Sequence, residues 1–165
     1  MRVQKVAVVG TGVIGNGWIA RMLAQGYDVV ATDPAEGAEE RMRRAVDQAW
    51  PYVEALGLAE GASKDRLTFE KELADAVKDA DFIQENVPEV DELKQTVLQN
   101  IDQHAKPDAL IGSSTSGIMP SELQVNLQHP ERVFVAHPFH PVYILPLVEV
   151  VAGKQTTTEN VEIGR

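Results

Sequence analysis

The chain has 165 residues, 44% of them hydrophobic, which is enough for one domain with a proper core. A net charge of −10 without any basic stripe argues against nucleic acid or an anionic membrane as a partner. With no cysteine there is no disulfide framework, no thiolate metal site and no cysteine nucleophile, and no apolar run approaches membrane-spanning length.

Val6 to Val9 has the length and β-branching of a buried parallel strand. It begins within a few residues of Met1, which leaves no room for a signal peptide and points to a cytoplasmic protein. Gly10, Gly12 and Gly15 follow in GxGxxG spacing, and Ile14, Trp18, Ile19, Met22 and Leu23 then recur at helical intervals up to Gly26. Asp28 to Thr32 is a second apolar strand, closed by Asp33. Strand, glycine turn, helix, strand and acid in this order form a dinucleotide-binding signature. Gly10 allows the tight turn, Gly12 lets backbone approach a pyrophosphate, and Gly15 lets the helix pack close to the strand. The helix start offers free N–H groups and a positive dipole end to phosphate. Gly10, Thr11, Gly12, Val13, Ile14, Gly15 and Asp33 are therefore the candidate cofactor residues. A carboxylate at Asp33 suits free ribose hydroxyls and repels a 2′-phosphate, so NAD is favoured over NADP.

Glu36 to Gln48 reads as a solvated outer helix. Pro51 predicts a kink or break at Trp50, with a second helical piece from Tyr52 to Leu56 ended by Gly57. Leu67 to Phe69 is a short strand, Leu73 to Val77 a short helix, and Asp81 to Gln84 a strand whose loop is Glu85 to Pro88. Glu89 to His104 is a helix with Leu93, Val97 and Ile101 on one face. Ala109 to Ser113 is a strand, and Pro120 opens a helix through Leu127. Arg132 to Ala136 and Leu147 to Ala152 are the last strands, separated by a proline-rich loop, and Thr158 to Arg165 begins a helix. Strands alternating with helices imply an α/β fold of Rossmann type: a doubly wound, mostly parallel sheet in one domain, 1–165.

In such sheets ligands sit beyond the carboxyl ends of the strands. Three loops there carry reactive groups: Glu85 to Glu89, Ser113 to Gly117, and His137 to Pro141. Removing a hydride from an alcohol needs a base for the hydroxyl proton, and neutral imidazole suits that task near pH 7. His137 can be the base, Glu149 can orient its ring, and the hydroxyl of Ser116 can hold the substrate oxygen. His104 and His129 lie at polar helix ends and read as surface residues. No histidine pair has ligand-like helical spacing, so no metal site is expected.

Together these motifs resemble the 3-hydroxyacyl-CoA dehydrogenase family in its NAD-binding N-terminal domain, from Val3 to about Thr156. The resemblance implies NAD as cofactor, His137 as base and Glu149, twelve residues later, as its orienting carboxylate. It places the substrate-contacting serine on Ser116 and the glutamate and lysine that approach the cofactor ribose on Glu89 and Lys94. His140 stands where the family usually has an asparagine that contacts the nicotinamide end. The family continues into an all-helical domain that covers the substrate and forms a dimer. The resemblance therefore implies that this chain is one domain of a longer homodimeric protein.

Within the family, Gly10 to Trp18, Ala49 to Pro51, Asp81 to Glu85, Ser113 to Gly117 and Pro141 to Glu149 look most like the carnitine-oxidising branch. The implied reaction is NAD-dependent oxidation of the 3-hydroxyl of L-carnitine, a small-molecule substrate. An acidic chain suits a trimethylammonium group better than polyanionic CoA, and Trp50, Tyr52, Phe139 and Tyr143 could offer it aromatic faces or simply pack. The alternatives are another 3-hydroxy acid dehydrogenase, for acyl-CoA or L-gulonate, and a crystallin-like protein that binds NAD(H) without turnover.

Overall fold

Alternating small and β-branched residues set the layout in the computed structural model, which describes residues 3–164. Strands β1 (Lys5–Val9), β2 (Asp28–Thr32), β3 (Leu67–Phe69), β4 (Phe82–Glu85), β5 (Leu110–Ser113), β6 (Val133–Pro138) and β7 (Val148–Ala152) form one sheet in the order β3-β2-β1-β4-β5-β6-β7. The first six run parallel, and β7 returns antiparallel to β6. The order reverses between β1 and β4, the switch point at which open α/β sheets bind ligands.

Both faces of the sheet are covered. On one side Val6 and Val8 pack with α1 (Val13–Ala24) and α2 (Ala38–Leu56) through Trp18, Ile19, Leu23, Met42 and Val46. On the other, Ala7 and Val9 pack with α3 (Leu73–Val77) and α4 (Asp91–His104) through Val77, Leu98 and Ile101. Successive β1 residues thus feed opposite cores, as a central parallel strand requires. Two further helices, α5 (Pro120–Leu123) and α6 (Thr158–Gly164), are short. Arg165, expected in the last helix, lies outside the described residues together with Met1 and Arg2.

Several expected boundaries shift. The break at Trp50 does not occur: α2 runs unbroken through Pro51. Pro51 costs the helix one N–H bond, about 3 kcal/mol in an isolated interior, but burial of Met42, Val46, Trp50 and Val53 against the sheet holds it together. Trp50 Nε1 also donates to Glu54 Oε1 at 3.0 Å across that turn. Glu85 belongs to β4 rather than to its loop, because its carboxylate is buried and paired. The helix expected from Glu89 starts at Asp91, since Glu89 turns its side chain to the loop after β5. The helix expected through Leu127 ends at Leu123, and Asn126 takes a left-handed φ of 62° just beyond it.

Candidate active site

The turn after β1 is built by close approach. Gly10 has φ 89°, and a Cβ there would lie 2.8 Å from the Asn86 carbonyl oxygen. A Cβ on Gly15 would lie 1.9 Å from the Gly10 oxygen, so α1 reaches the strand only without a side chain at that position. A Cβ on Gly12 would meet nothing within 4 Å, so the backbone there faces open space. That space is a cleft of about 690 Å³ bordered by Gly10, Gly12, Val13, Ile14 and Asp33 on one side and Val87 and Leu93 on the other. Its mostly apolar walls, bare glycine turn and single carboxylate suit a dinucleotide with its adenosine ribose at Asp33. Asp33 is also structural: Oδ2 accepts from Thr11 N at 2.8 Å and Thr11 Oγ1 at 3.0 Å, and Oδ1 from Ala35 N at 2.9 Å. Thr11 therefore braces the turn through Asp33.

The cleft continues into a cavity of about 290 Å³ bordered by Ile14, Glu89, Lys94, Ser116 and His137. His137 and Glu149 face each other because β7 runs back along β6 with those two residues in register. His137 Nδ1 lies 3.0 Å from Glu149 Oε2. A proton on Nδ1 shared with the carboxylate leaves the Nε2 lone pair to face a substrate hydroxyl.

A buried polar cluster lies behind Lys94 and Glu89. Glu85 and Lys94 are both almost wholly buried, and Lys94 Nζ donates to Glu85 Oε1 at 2.8 Å and to the Val87 carbonyl at 2.9 Å. The Ser113 hydroxyl donates to the other Glu85 oxygen. Glu89 Oε1 accepts from the Thr115 hydroxyl and, at 3.1 Å each, from Ser116 N and Gly117 N, while Oε2 lies 3.6 Å from Lys94. Burial pushes the Glu89 carboxyl up, but the Thr115 hydroxyl, the two N–H groups and Lys94 outweigh it and hold it below the ordinary value. Glu89 and Lys94, which the resemblance places near the cofactor ribose, border the cavity at His137; Glu89 ties the loops after β4 and β5 together, and Lys94 holds Glu85, the Val87 carbonyl and Glu89. Ser116 is exposed at the cavity rim.

In the sequence, Glu85, Ser114 and Thr115 stand out only as members of loops carrying reactive groups, none with a role of its own. Ser114 Oγ accepts from Trp18 Nε1 at 3.2 Å and Gln84 Nε2 at 2.7 Å and donates to Asn86 Oδ1 at 2.6 Å, joining α1 to two loops. The available signal was a strand ending in polar Gln84-Glu85 where a buried parallel strand should be apolar. His140 borders a separate cavity with Val13 and Tyr143 rather than the one at His137. Of the four aromatic residues, Trp50 is core, Tyr52 and Tyr143 pack with ring centres 6.1 Å apart, and Phe139 meets His137 edge-on at 5.8 Å. His104 is exposed, its Nδ1 2.9 Å from the Asn100 carbonyl oxygen, and His129 lies 3.6 Å from Glu131.

Comparison with known proteins agrees with this fold. The sequence model for the 3-hydroxyacyl-CoA dehydrogenase NAD-binding domain matches residues 5–164. The chain is 71% identical over 156 residues to an L-carnitine dehydrogenase of Staphylococcus epidermidis, covering 94% of this chain and 49% of that protein. It is 53% identical over 163 residues to the Pseudomonas putida L-carnitine dehydrogenase, covering 99% and 51%. Among solved structures, the NAD-dependent 5-formyl-3-hydroxy-2-methylpyridine 4-carboxylic acid 5-dehydrogenase superposes with a TM-score of 0.92 at 36% identity, covering 99% of this chain and 53% of that one. Escherichia coli 3-hydroxybutyryl-CoA dehydrogenase gives 0.89 at 28%, covering 99% and 35%. The chain spans about half the length of the carnitine dehydrogenases it matches.

Proposed function

Because the chain belongs to the 3-hydroxyacyl-CoA dehydrogenase family as an NAD-binding domain, we propose that it carries the cofactor site and general base of an enzyme that oxidises L-carnitine to 3-dehydrocarnitine. The observation that carries this reading is the His137–Glu149 pair, held in register beside the glycine-turn cleft. When bound, NAD supplies the hydride acceptor. The turn from Gly10 to Gly15 would hold its pyrophosphate against the start of α1, and Asp33 its adenosine ribose. His137 Nε2 takes the proton of the substrate hydroxyl as the C–H bond breaks, and the Glu149 carboxylate stabilises the imidazolium that results. Ser116 steadies the same oxygen from the rim. Lys94 and Glu89 fix the loop that carries Ser116, so substrate position does not depend on a free loop.

Carnitine is favoured over other 3-hydroxy acids by the 71% and 53% identities to carnitine dehydrogenases, against 28% to the 3-hydroxybutyryl-CoA enzyme. The test compares NAD reduction by the intact enzyme with L-carnitine, L-gulonate and 3-hydroxybutyryl-CoA. Carnitine should give the highest kcat/KM. A preference for either other substrate replaces this reading with that 3-hydroxy acid, and NADH binding without turnover of any of them makes the protein a cofactor binder only.

A further inference from the structure

A single hydroxyl joins the parts of the chain that meet around the candidate site. Ser114 Oγ accepts from Trp18 Nε1 and from Gln84 Nε2 and donates to Asn86 Oδ1. A hydroxyl has one proton and two lone pairs, so these three bonds use its whole capacity. Ser114 borders the cavity at His137, yet its oxygen has no bond left to offer a ligand. Each partner leads to a different part of the site. Trp18 belongs to α1, whose first residues border the cofactor cleft. Gln84 Nε2 also donates to the Ala136 carbonyl at 3.1 Å, one residue before His137. Gly112 makes room for that amide, since a Cβ there would lie 2.7 Å from Gln84 Oε1. Asn86 Nδ2 donates to the Gln84 carbonyl at 2.9 Å, so the Asn86 amide is bonded at both ends. Asn86 is also where the two spaces join: with Ile14 and Val87 it borders both the cofactor cleft and the cavity at His137. A dinucleotide with its adenosine ribose at Asp33 crosses this border to bring its nicotinamide to His137.

We infer that Ser114 is a positioning residue: by locking the Asn86 amide it fixes the nicotinamide half of bound NAD relative to His137. The inference rests on the proposed function, because it takes NAD as the occupant of the cleft. With the hydroxyl in place, Asn86 presents one fixed surface where cleft and cavity meet. Without it, Trp18 Nε1–H, one Gln84 N–H and Asn86 Oδ1 each lose a partner, and the Asn86 amide is free to turn in search of another. The amide must then be ordered again when the nicotinamide half binds, and that cost falls on the affinity. The main chain around it does not depend on the hydroxyl. Asn86 N donates to the Val9 carbonyl at 2.7 Å, Gly10 N to the Thr32 carbonyl at 2.9 Å and Ser114 N to the Glu85 carbonyl at 2.9 Å. The glycine turn and Asp33, which would hold the pyrophosphate and adenosine, therefore keep their places when Ser114 Oγ is removed.

The test titrates the 165-residue chain with NADH and with ADP, which carries the adenosine and pyrophosphate but no nicotinamide. Ser114→Ala should raise the Kd for NADH about 10-fold, the loss expected for about one net hydrogen bond, and leave the Kd for ADP within about twofold. Trp18→Phe removes one donor and keeps a ring in the core; it should give a smaller rise, about 3-fold, again for NADH alone, and it carries the test if Ser114→Ala does not fold. Asn86→Ala should also weaken NADH selectively. In that background Ser114→Ala should add almost nothing, because Ser114 acts through Asn86. An unchanged Kd for NADH in the Ser114 and Trp18 variants overturns the positioning role. Equal losses for NADH and ADP overturn it in favour of a general brace of the fold, and fully additive losses in the double variant overturn the route through Asn86. A wild-type chain that binds neither nucleotide overturns the cofactor reading and the inference with it.

Discussion

Glu149 Oε2 lies 3.0 Å from His137 Nδ1, and in the proposed mechanism this contact leaves Nε2 for the substrate. His137→Gln removes the base and should lower kcat by about 10²–10⁴ while leaving the NADH Kd nearly unchanged. Glu149→Gln should cost less, because the imidazole remains and only its orientation loosens. Steady-state rates beside NADH fluorescence titration check both, and wild-type-like turnover in the His137 variant would remove it from the mechanism. Asp33 anchors Thr11, and in the proposed cofactor site the same carboxylate would also face the ribose hydroxyls. Asp33→Ala should weaken NADH binding and narrow its advantage over NADPH, helped by Lys71 on the same cavity wall. If the two dissociation constants do not converge, Asp33 does not read the ribose.

Elements are tied together by polar side chains as well as by apolar faces. Asp81 immediately precedes β4, and its Oδ2 accepts from Gln4 N at 2.9 Å and Lys5 N at 3.0 Å, while Oδ1 receives Lys106. Burial pushes the Asp81 carboxyl up, but the hydrogen bonds from Lys106, Lys5 and Gln4 overcome it and bring it down to about 2. A carboxyl lowered in the folded state adds stability above its unfolded value, near 4, and loses it as pH falls towards 2. Asp81→Asn should therefore cost about 1–2 kcal/mol at pH 7, after allowance for solvent screening, and almost nothing near pH 2. Urea unfolding at both values measures this; an equal loss at both would mean that the charge is not the cause. The continuity of α2 through Pro51 belongs to the same scale. Propensity argued for a break there, but the apolar stripe facing the sheet decided the outcome.

At the scale of the whole molecule, the site is half enclosed. The cofactor cleft has walls on two sides, whereas Glu149 is 59% exposed beside His137. The chain of 165 residues, assayed by itself, is expected to bind NADH but to oxidise carnitine far more slowly than a full-length L-carnitine dehydrogenase such as the Pseudomonas putida relative. Water at His137 screens the developing charges and leaves the substrate poorly oriented. Fluorescence titration with NADH and a carnitine-dependent absorbance assay on the isolated chain test this. Turnover matching that relative would show that these residues complete the site. Leu147, Val148 and Val151 on and before β7 are exposed apolar residues on that edge, so the isolated chain should also tend to self-associate there.

Sequence patterns set the local structure. The runs Val6 to Val9 and Asp28 to Thr32, the spacing of Gly10, Gly12 and Gly15, and the helical recurrence of Trp18, Ile19 and Leu23 specify strand, turn and helix through steric and hydrophobic rules that act within a few residues. The parallel sheet followed from their alternation. The tertiary structure alone decided contacts made across long stretches of chain. Antiparallel return of β7 put Glu149 opposite His137. Parallel pairing of β4 with β5 buried Glu85 where Ser113 and Lys94 could satisfy it. The path of the loop over Gly17 turned His140 towards Asn16 and Tyr143 instead of His137. A buried polar group is stable only with partners, and which partners arrive depends on how distant strands register.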